Sequence, residues 1–149
     1  MCKFRSRGDL MTSIEFQEII DDFSVLDDWE DRYRYIIDLG KKLKPLPTTL
    51  KTEDTKVNGC ASQVWLAYEL EGEGDTKRIF FKGESDALIV KGLIAIVLAL
   101  YNGVKISDAD RIDALTELDK LGLQEHLSSQ RSNGLRAMIG KITTILRSS

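Results

Sequence analysis

The sequence predicts an α+β fold in which several helices pack on a small antiparallel sheet. Three observations carry that prediction. Apolar residues recur at helical intervals in two stretches before Pro45. Two short runs rich in strand formers then flank a glycine-rich turn. After Ser85 helical spacing returns, beginning with a run that is apolar nearly all round. With 149 residues, 42% hydrophobic and 30% charged, the chain is long enough for a proper core and reads as soluble and globular.

Residues 1–12 are polar and basic without periodicity and predict a disordered arm, within which Met11 offers an alternative start. From residue 13 to 149 the chain reads as one domain. Thr12 with Glu15 has capping-box spacing, and Phe16, Ile19, Ile20 and Phe23 follow on one helical face. Asp27 with Glu30 repeats the signal ahead of Trp29, Tyr33, Ile36, Ile37 and Leu43, whose aromatics read as core. Pro45 and Pro47 stop that helix, and a polar loop through Lys56 has room for a short strand. Gln63 to Leu70 alternates, with Val64, Leu66, Tyr68 and Leu70 on one face of a strand. Glu71-Gly72-Glu73-Gly74-Asp75 is the hairpin turn, since three carboxylates there would repel a phosphate. Thr76 to Lys82 supplies the partner strand through Ile79, Phe80 and Phe81.

Ser85 reads as the N-cap of a helix from Asp86 to about Asn102, with Asp86 complementing the dipole in the first turn. This helix should be the centre of the core. Asn102-Gly103 closes it. Ser107 with Asp110 opens another, carrying Leu115, Leu118 and Leu121 and ending at Gly122. Ser128 or Ser129 opens the last helix, whose face is Leu135, Met138, Ile142, Ile145 and Leu146.

Composition excludes several functions. A net charge of −3, from 21 basic and 24 acidic residues, leaves no electrostatic footprint for nucleic acid or for an acidic membrane surface. The apolar run from Ala87 to Tyr101 is too short to span a bilayer and is interrupted by Lys91 and Gly92. Residues 1–11 contain no secretory apolar core. Cys2, Cys60 and His126 are too few for a four-ligand thiolate and imidazole zinc site. Both cysteines read as free thiols in a reducing cytoplasm. Paired carboxylates, a Walker sequence and a dinucleotide glycine pattern are all missing from the sequence.

What remains is the stretch from Val57 to Leu66. Asn58-Gly59 forms a turn pair, Gly59 tolerates positive φ, and Cys60 follows at the mouth of an apolar strand. Successive N–H groups in such a bend favour an anion, and the thiolate is the reactive form of cysteine. Read plainly, Cys60 is a small apolar residue entering a strand. His126 is the one candidate base for cysteine catalysis, although a lone histidine near a helix end is more often a capping or surface residue. A thiol without an obvious base suits transfer chemistry, where the group to be moved is activated elsewhere.

Three blocks resemble the SufE family of sulfur acceptors for cysteine desulfurases. They are Val57-Asn58-Gly59-Cys60-Ala61-Ser62-Gln63-Val64-Trp65, then Gly83-Glu84-Ser85-Asp86-Ala87 running on through Ile89 to Ala95, and His126-Leu127-Ser128 with Arg131-Ser132-Asn133-Gly134-Leu135. The likeness covers about Ser13 to the end; the arm with Cys2 and the hairpin tip depart from it. The resemblance implies an α+β fold shared with NifU-like scaffold proteins. It implies that Cys60 accepts persulfide sulfur from a SufS-like cysteine desulfurase and passes it to a SufBCD-like scaffold. The pyridoxal phosphate belongs to the desulfurase, so no cofactor or metal is expected here. By position, Asp86 and Arg131 correspond to partner-facing residues of the family, and Gly59 belongs to the same surface. Val57, Ala61 and Val64 are placed to shelter the cysteine.

Other classes make distinct demands. A scaffold that builds a cluster on itself needs about three ligands of cysteine type. A self-contained cysteine hydrolase needs His126 to reach Cys60. A binding module with an inert buried cysteine needs neither. Monomer and homodimer are both compatible with the sequence.

Overall fold

Two antiparallel hairpin strands lie at the centre of the chain, with helices before and after them. The computed structural model describes residues 13–59 and 62–148; Cys60, Ala61, the arm 1–12 with Cys2, Met11 and Thr12, and Ser149 lie outside the described residues. Helices α1 (Ile14–Ser24) and α2 (Trp29–Lys41) come first. Strands β1 (Val64–Glu71) and β2 (Arg78–Ser85) follow, then the central helix α3 (Leu88–Tyr101) and a two-residue strand β3 (Val104–Lys105). Short helices α4 (Ile106–Ala109), α5 (Ala114–Asp119) and α6 (Leu123–His126) lead to the long α7 (Ser129–Arg147). The sheet is antiparallel in the order β1-β2-β3, with Val64 opposite Ser85, Glu71 opposite Arg78, and Ile79 opposite Val104. This is the α+β arrangement of helices on a small antiparallel sheet.

The core follows from the two periodicities. Along β2 every second residue, Ile79, Phe81, Gly83 and Ser85, is buried. Helix α3 packs on that face and is buried from Gly92 to Tyr101 except for the half-buried Ala95. A Cβ on Gly83 would lie 2.7 Å from Ile94 Cγ2, so the Ile94 side chain of the helix packs directly on the strand backbone there. On the other side α2 crosses α3 at Gly40 and Gly92, where a Cβ on Gly92 would sit 2.1 Å from the Ile36 carbonyl oxygen. Asn102 closes α3 and clamps β2: the Phe81 N–H donates to its Oδ1 at 2.6 Å, and its Nδ2 donates to the Phe81 carbonyl at 3.3 Å.

Helix starts differ from the sequence expectations by a residue or two, each for a local reason. Ser13 caps α1, accepting from the Phe16 N–H at 3.0 Å while donating to the Ala99 carbonyl of α3; Thr12 lies outside the described residues. Asp28, rather than Asp27, caps α2 by accepting from the Asp31 N–H at 2.9 Å. Ser128, of the two serines considered, caps α7.

The larger correction concerns Ser85 and Asp86. Ser85 is not an N-cap and Asp86 is not in a first turn, because β2 stays paired with β1 through Ser85 and α3 begins only at Leu88. Ser85 is buried, and its hydroxyl accepts from the Ala87 N–H at 3.2 Å. The helix expected from Ser107 to Leu121 is divided by the Asp113 cap, and Gly122 at φ 69° redirects the chain into α6. On β1 burial ends after Leu66, leaving Tyr68 and Leu70 partly exposed on an edge strand.

Candidate functional site

The loop that contains Cys60 in sequence is closed at its base by backbone pairing. Lys56 forms an antiparallel bridge with Trp65, the Val57 N–H donates to the Val64 carbonyl at 2.8 Å, and the Leu66 N–H donates to the Thr55 carbonyl at 2.7 Å. Residues 55–57 thus cover the start of the β1 edge, and the chain from 58 to 63 joins the two sides. Two cross-strand rows result. Val57, Val64 and Ser85 form a buried row, and Lys56, Trp65 and Glu84 an outer one.

Gly59 takes φ 96°, the left-handed region that suits glycine, as the Asn58-Gly59 turn predicted. A Cβ there would lie 3.4 Å from Ala137 Cβ, so this turn rests on the third turn of α7. On the far side of the loop, the Asp86 carboxylate accepts from the Gln63 N–H at 3.1 Å, and the Asp86 N–H donates to the Gln63 carbonyl at 3.4 Å. Asp86 is therefore a clamp on the loop rather than a helix cap. The switch from strand to helix at 85–88 leaves its side chain free to turn back on the neighbouring chain.

Beside the loop lies a cavity of about 360 Å³, floored by Ile89, Leu93, Leu135 and Met138 and rimmed by Ser62 and Arg131. It equals the liquid volume of roughly a dozen waters at ~30 Å³ each, ample for a sulfur-sized extension of a side chain. Arg131 stands in the first turn of α7, where its N–H donates to the Ser128 hydroxyl at 3.2 Å. Its side chain is exposed, and among the described residues no carboxylate pairs with it. A guanidinium at a helix N terminus opposes the local dipole, so the helix itself gains nothing from it there. Asp86, Gly59 and Arg131, far apart in sequence, are thus gathered around one loop and one cavity. Val57 and Val64 are buried at the loop's base, whereas Ala61 and Cys60, the residue they were expected to shelter, lie outside the described residues.

His126 is placed differently. Its ring stacks on Trp29 with centroids 4.0 Å apart, and its carbonyl accepts from the Tyr33 hydroxyl, so both its halves are engaged with α2. No group of three or more His, Cys, Asp or Glu residues able to hold a metal occurs among the described residues. No described helix is long and apolar enough to cross a membrane.

Sequence reasoning assigned no role to Glu84. Its carboxylate accepts from the Leu46 N–H at 2.6 Å and from Lys51 Nζ at 2.7 Å, and Lys51 also lies 5.3 Å from the centroid of the Trp65 ring. The available signal was alternation: once the strand is extended to Ser85, Glu84 falls in the Trp65 row.

The structure is thus a small α+β domain whose loop carries a cysteine in sequence, beside a cavity lined in part by Arg131. Comparison with known proteins gives the family. Residues 17–146 match the SufE model, described as an Fe-S metabolism associated domain. An uncharacterized SufE-like protein of Rhizobium meliloti is 56% identical over 132 residues, covering 89% of this chain and 93% of that protein. One from Rhizobium etli is 51% identical over 136 residues, covering 91% and 92% respectively. A solution structure of a hypothetical protein from Thermus thermophilus shares the fold, with a TM-score of 0.71 at 18% identity over 93% of this chain and 97% of that one. The chain belongs to the SufE family, which places it in iron–sulfur metabolism.

Proposed function

We propose that the protein is a sulfur relay: Cys60 accepts sulfur from a SufS-like cysteine desulfurase, stimulates that enzyme by clearing its persulfide, and passes the sulfur to a SufBCD-like scaffold. The Cys60 thiolate attacks the outer sulfur of the donor persulfide. A new S–S bond forms on Cys60, the donor's S–S bond breaks, and the donor cysteine leaves as thiolate, so no oxidant or reductant is consumed. Pyridoxal phosphate stays with the desulfurase, and the chain contributes positioning and shelter without catalysis of its own.

One observation supports this reading above the others. The loop 58–63 is closed by Val57–Val64 pairing, clamped by Asp86 through Gln63, and flanked by a cavity with Arg131 at its rim. Shelter from solvent limits oxidation of an idle persulfide, and a guanidinium within reach favours its anionic form. The test is mass spectrometry after incubation with a cysteine desulfurase and free cysteine. Added sulfur, lost on reduction, should map to the peptide containing Cys60. Sulfur found mainly on Cys2, or on neither, contradicts the reading.

A further inference from the structure

We propose that Glu84 is a positioning residue for sulfur transfer: it straps the segment 46–57 to the sheet and so fixes the entering end of the loop that contains Cys60 in sequence. The inference rests on the relay reading above and names a residue to which that reading gave no part. Glu84 faces Trp65 across the β1–β2 ladder, and Trp65 faces Lys56 on its other side. The strap 46–57 has little regular structure of its own, only a single 3₁₀ turn at Thr48–Leu50. Its hold on the sheet comes from a few points. Glu84 supplies two of them, through the Leu46 N–H at 2.6 Å and Lys51 at 2.7 Å; Lys51 also lies on the Trp65 ring, the pairing of 55–57 with β1 adds more, and from α7 Lys141 Nζ donates to the Asp54 carbonyl at 2.6 Å. Both side chains of the ion pair are largely covered, at 28% and 18% exposure, which separates it from the other described ion pairs except for the half-covered Lys120–Glu117 pair. The Lys51 hydrogen bond holds the Glu84 carboxyl below its usual range in spite of burial, with the Leu46 N–H acting in the same direction.

Glu84 and Asp86, two residues apart, divide the loop between them. Glu84 secures the strap that leads into residue 57, and Asp86 secures Gln63 at the exit. A persulfide transfer demands that attacking and attacked sulfurs meet within a narrow range of distance and angle, so a loop fixed at one end only loses orientation.

Three full-length variants test this in a Cys2→Ser background: Glu84→Ala, Glu84→Gln, which keeps an acceptor for Leu46 but no charge for Lys51, and Lys51→Met. Hydrogen exchange at the Val57 and Leu66 amides reports the strap, and the Ile94 and Leu98 amides, inside α3, report the global fold. Glu84→Ala should lose protection at Val57 and Leu66 by about tenfold or more, the factor carried by one hydrogen bond to a charged group. Protection at Ile94 and Leu98 should hold, and Glu84→Gln and Lys51→Met should fall between. At saturating protein, maximal desulfurase stimulation should drop in the same order while the half-saturating concentration stays put. Altered exchange with unchanged maximal stimulation makes Glu84 a fold residue and overturns the proposal, as does unchanged exchange. Should the parent protein fail to acquire sulfur on Cys60, the relay reading fails instead, and the exchange data still decide whether Glu84 holds the strap. If Glu84→Ala unfolds, the Gln and Met variants carry the comparison.

Discussion

Asp86 shows how one side chain changes meaning when the backbone around it is known. In a first helical turn its carboxylate would be worth some tenths of a kcal/mol through the dipole. Bonded to the Gln63 N–H instead, it ties two chain segments 23 residues apart. Asp86→Asn keeps an oxygen in the accepting position, so its effect should be small. Asp86→Arg removes the acceptor, and a net loss of about 0.5–1.5 kcal/mol frees the exit of the loop. Alkylation of Cys60 in the isolated protein, with Cys2 replaced by serine, should therefore run at near wild-type rate in Asp86→Asn. It should run up to about tenfold faster in Asp86→Arg. Equal rates in all three proteins would leave the clamp without influence on the cysteine.

Among elements, the α2–α3 crossing decides how close the core can be. Alanine is a better helix former than glycine by about 1 kcal/mol, and Gly92 lies inside α3, so propensity alone favours Gly92→Ala. Packing reverses the sign. The added Cβ would fall 2.1 Å from a backbone oxygen of α2, which has no rotamer to change, and relief requires the helices to separate. Overpacking of this kind costs about 1–3 kcal/mol, so Gly92→Ala should melt several degrees lower. Gly140→Ala is the matched control, because nothing lies within 4 Å of its Cβ in the middle of α7. It should be neutral or slightly stabilising. Thermal denaturation of the two variants beside the wild type gives the comparison, and similar shifts in both would remove the crossing as the cause.

The same scale shows what the residues disclose and what they withhold. Periodicity located α1, α2, α3, α7 and the hairpin, because each buries one broad face. It missed β3, which has two residues and joins the sheet through Arg78 and Ile79; it merged α4 and α5, whose break depends on the Asp113 cap, and it stopped at Gly122 without α6 beyond it. At the site, the turn at Gly59 was legible from Asn58-Gly59. The Asp86–Gln63 and Glu84–Lys51 contacts were not, since both depend on where a strand stops and on loops returning from 23 and 33 residues away. The Arg131 position at a helix start was legible, but the cavity it borders is made by two helices and a loop.

Considered whole, the molecule brings Ser62 and Arg131 to one cavity between the starts of α3 and α7, with Asp86 bonded to Gln63 next to it. Arg131 is exposed there and serves no ion pair among the described residues, so its removal should cost the fold little. Arg131→Ala should keep its melting temperature within a degree or two and lower the stimulation of the desulfurase. A large loss of stability with normal stimulation would make Arg131 structural.

The strap covers only the first rungs of β1. From Ala67 to Glu71 no described residue pairs with the outer edge of that strand, so its amide and carbonyl groups stand open to any second extended chain. Glu69 and Glu71 occupy that open length, both exposed. Two copies of the strand laid edge to edge would set Glu71, and Glu69 with its Lys82 partner at 3.3 Å, beside their counterparts, and like charges directly opposite disfavour such pairing. The edge is thus divided: the chain's own segment completes it beside the loop, and beyond the strap like charge disfavours pairing with a second copy.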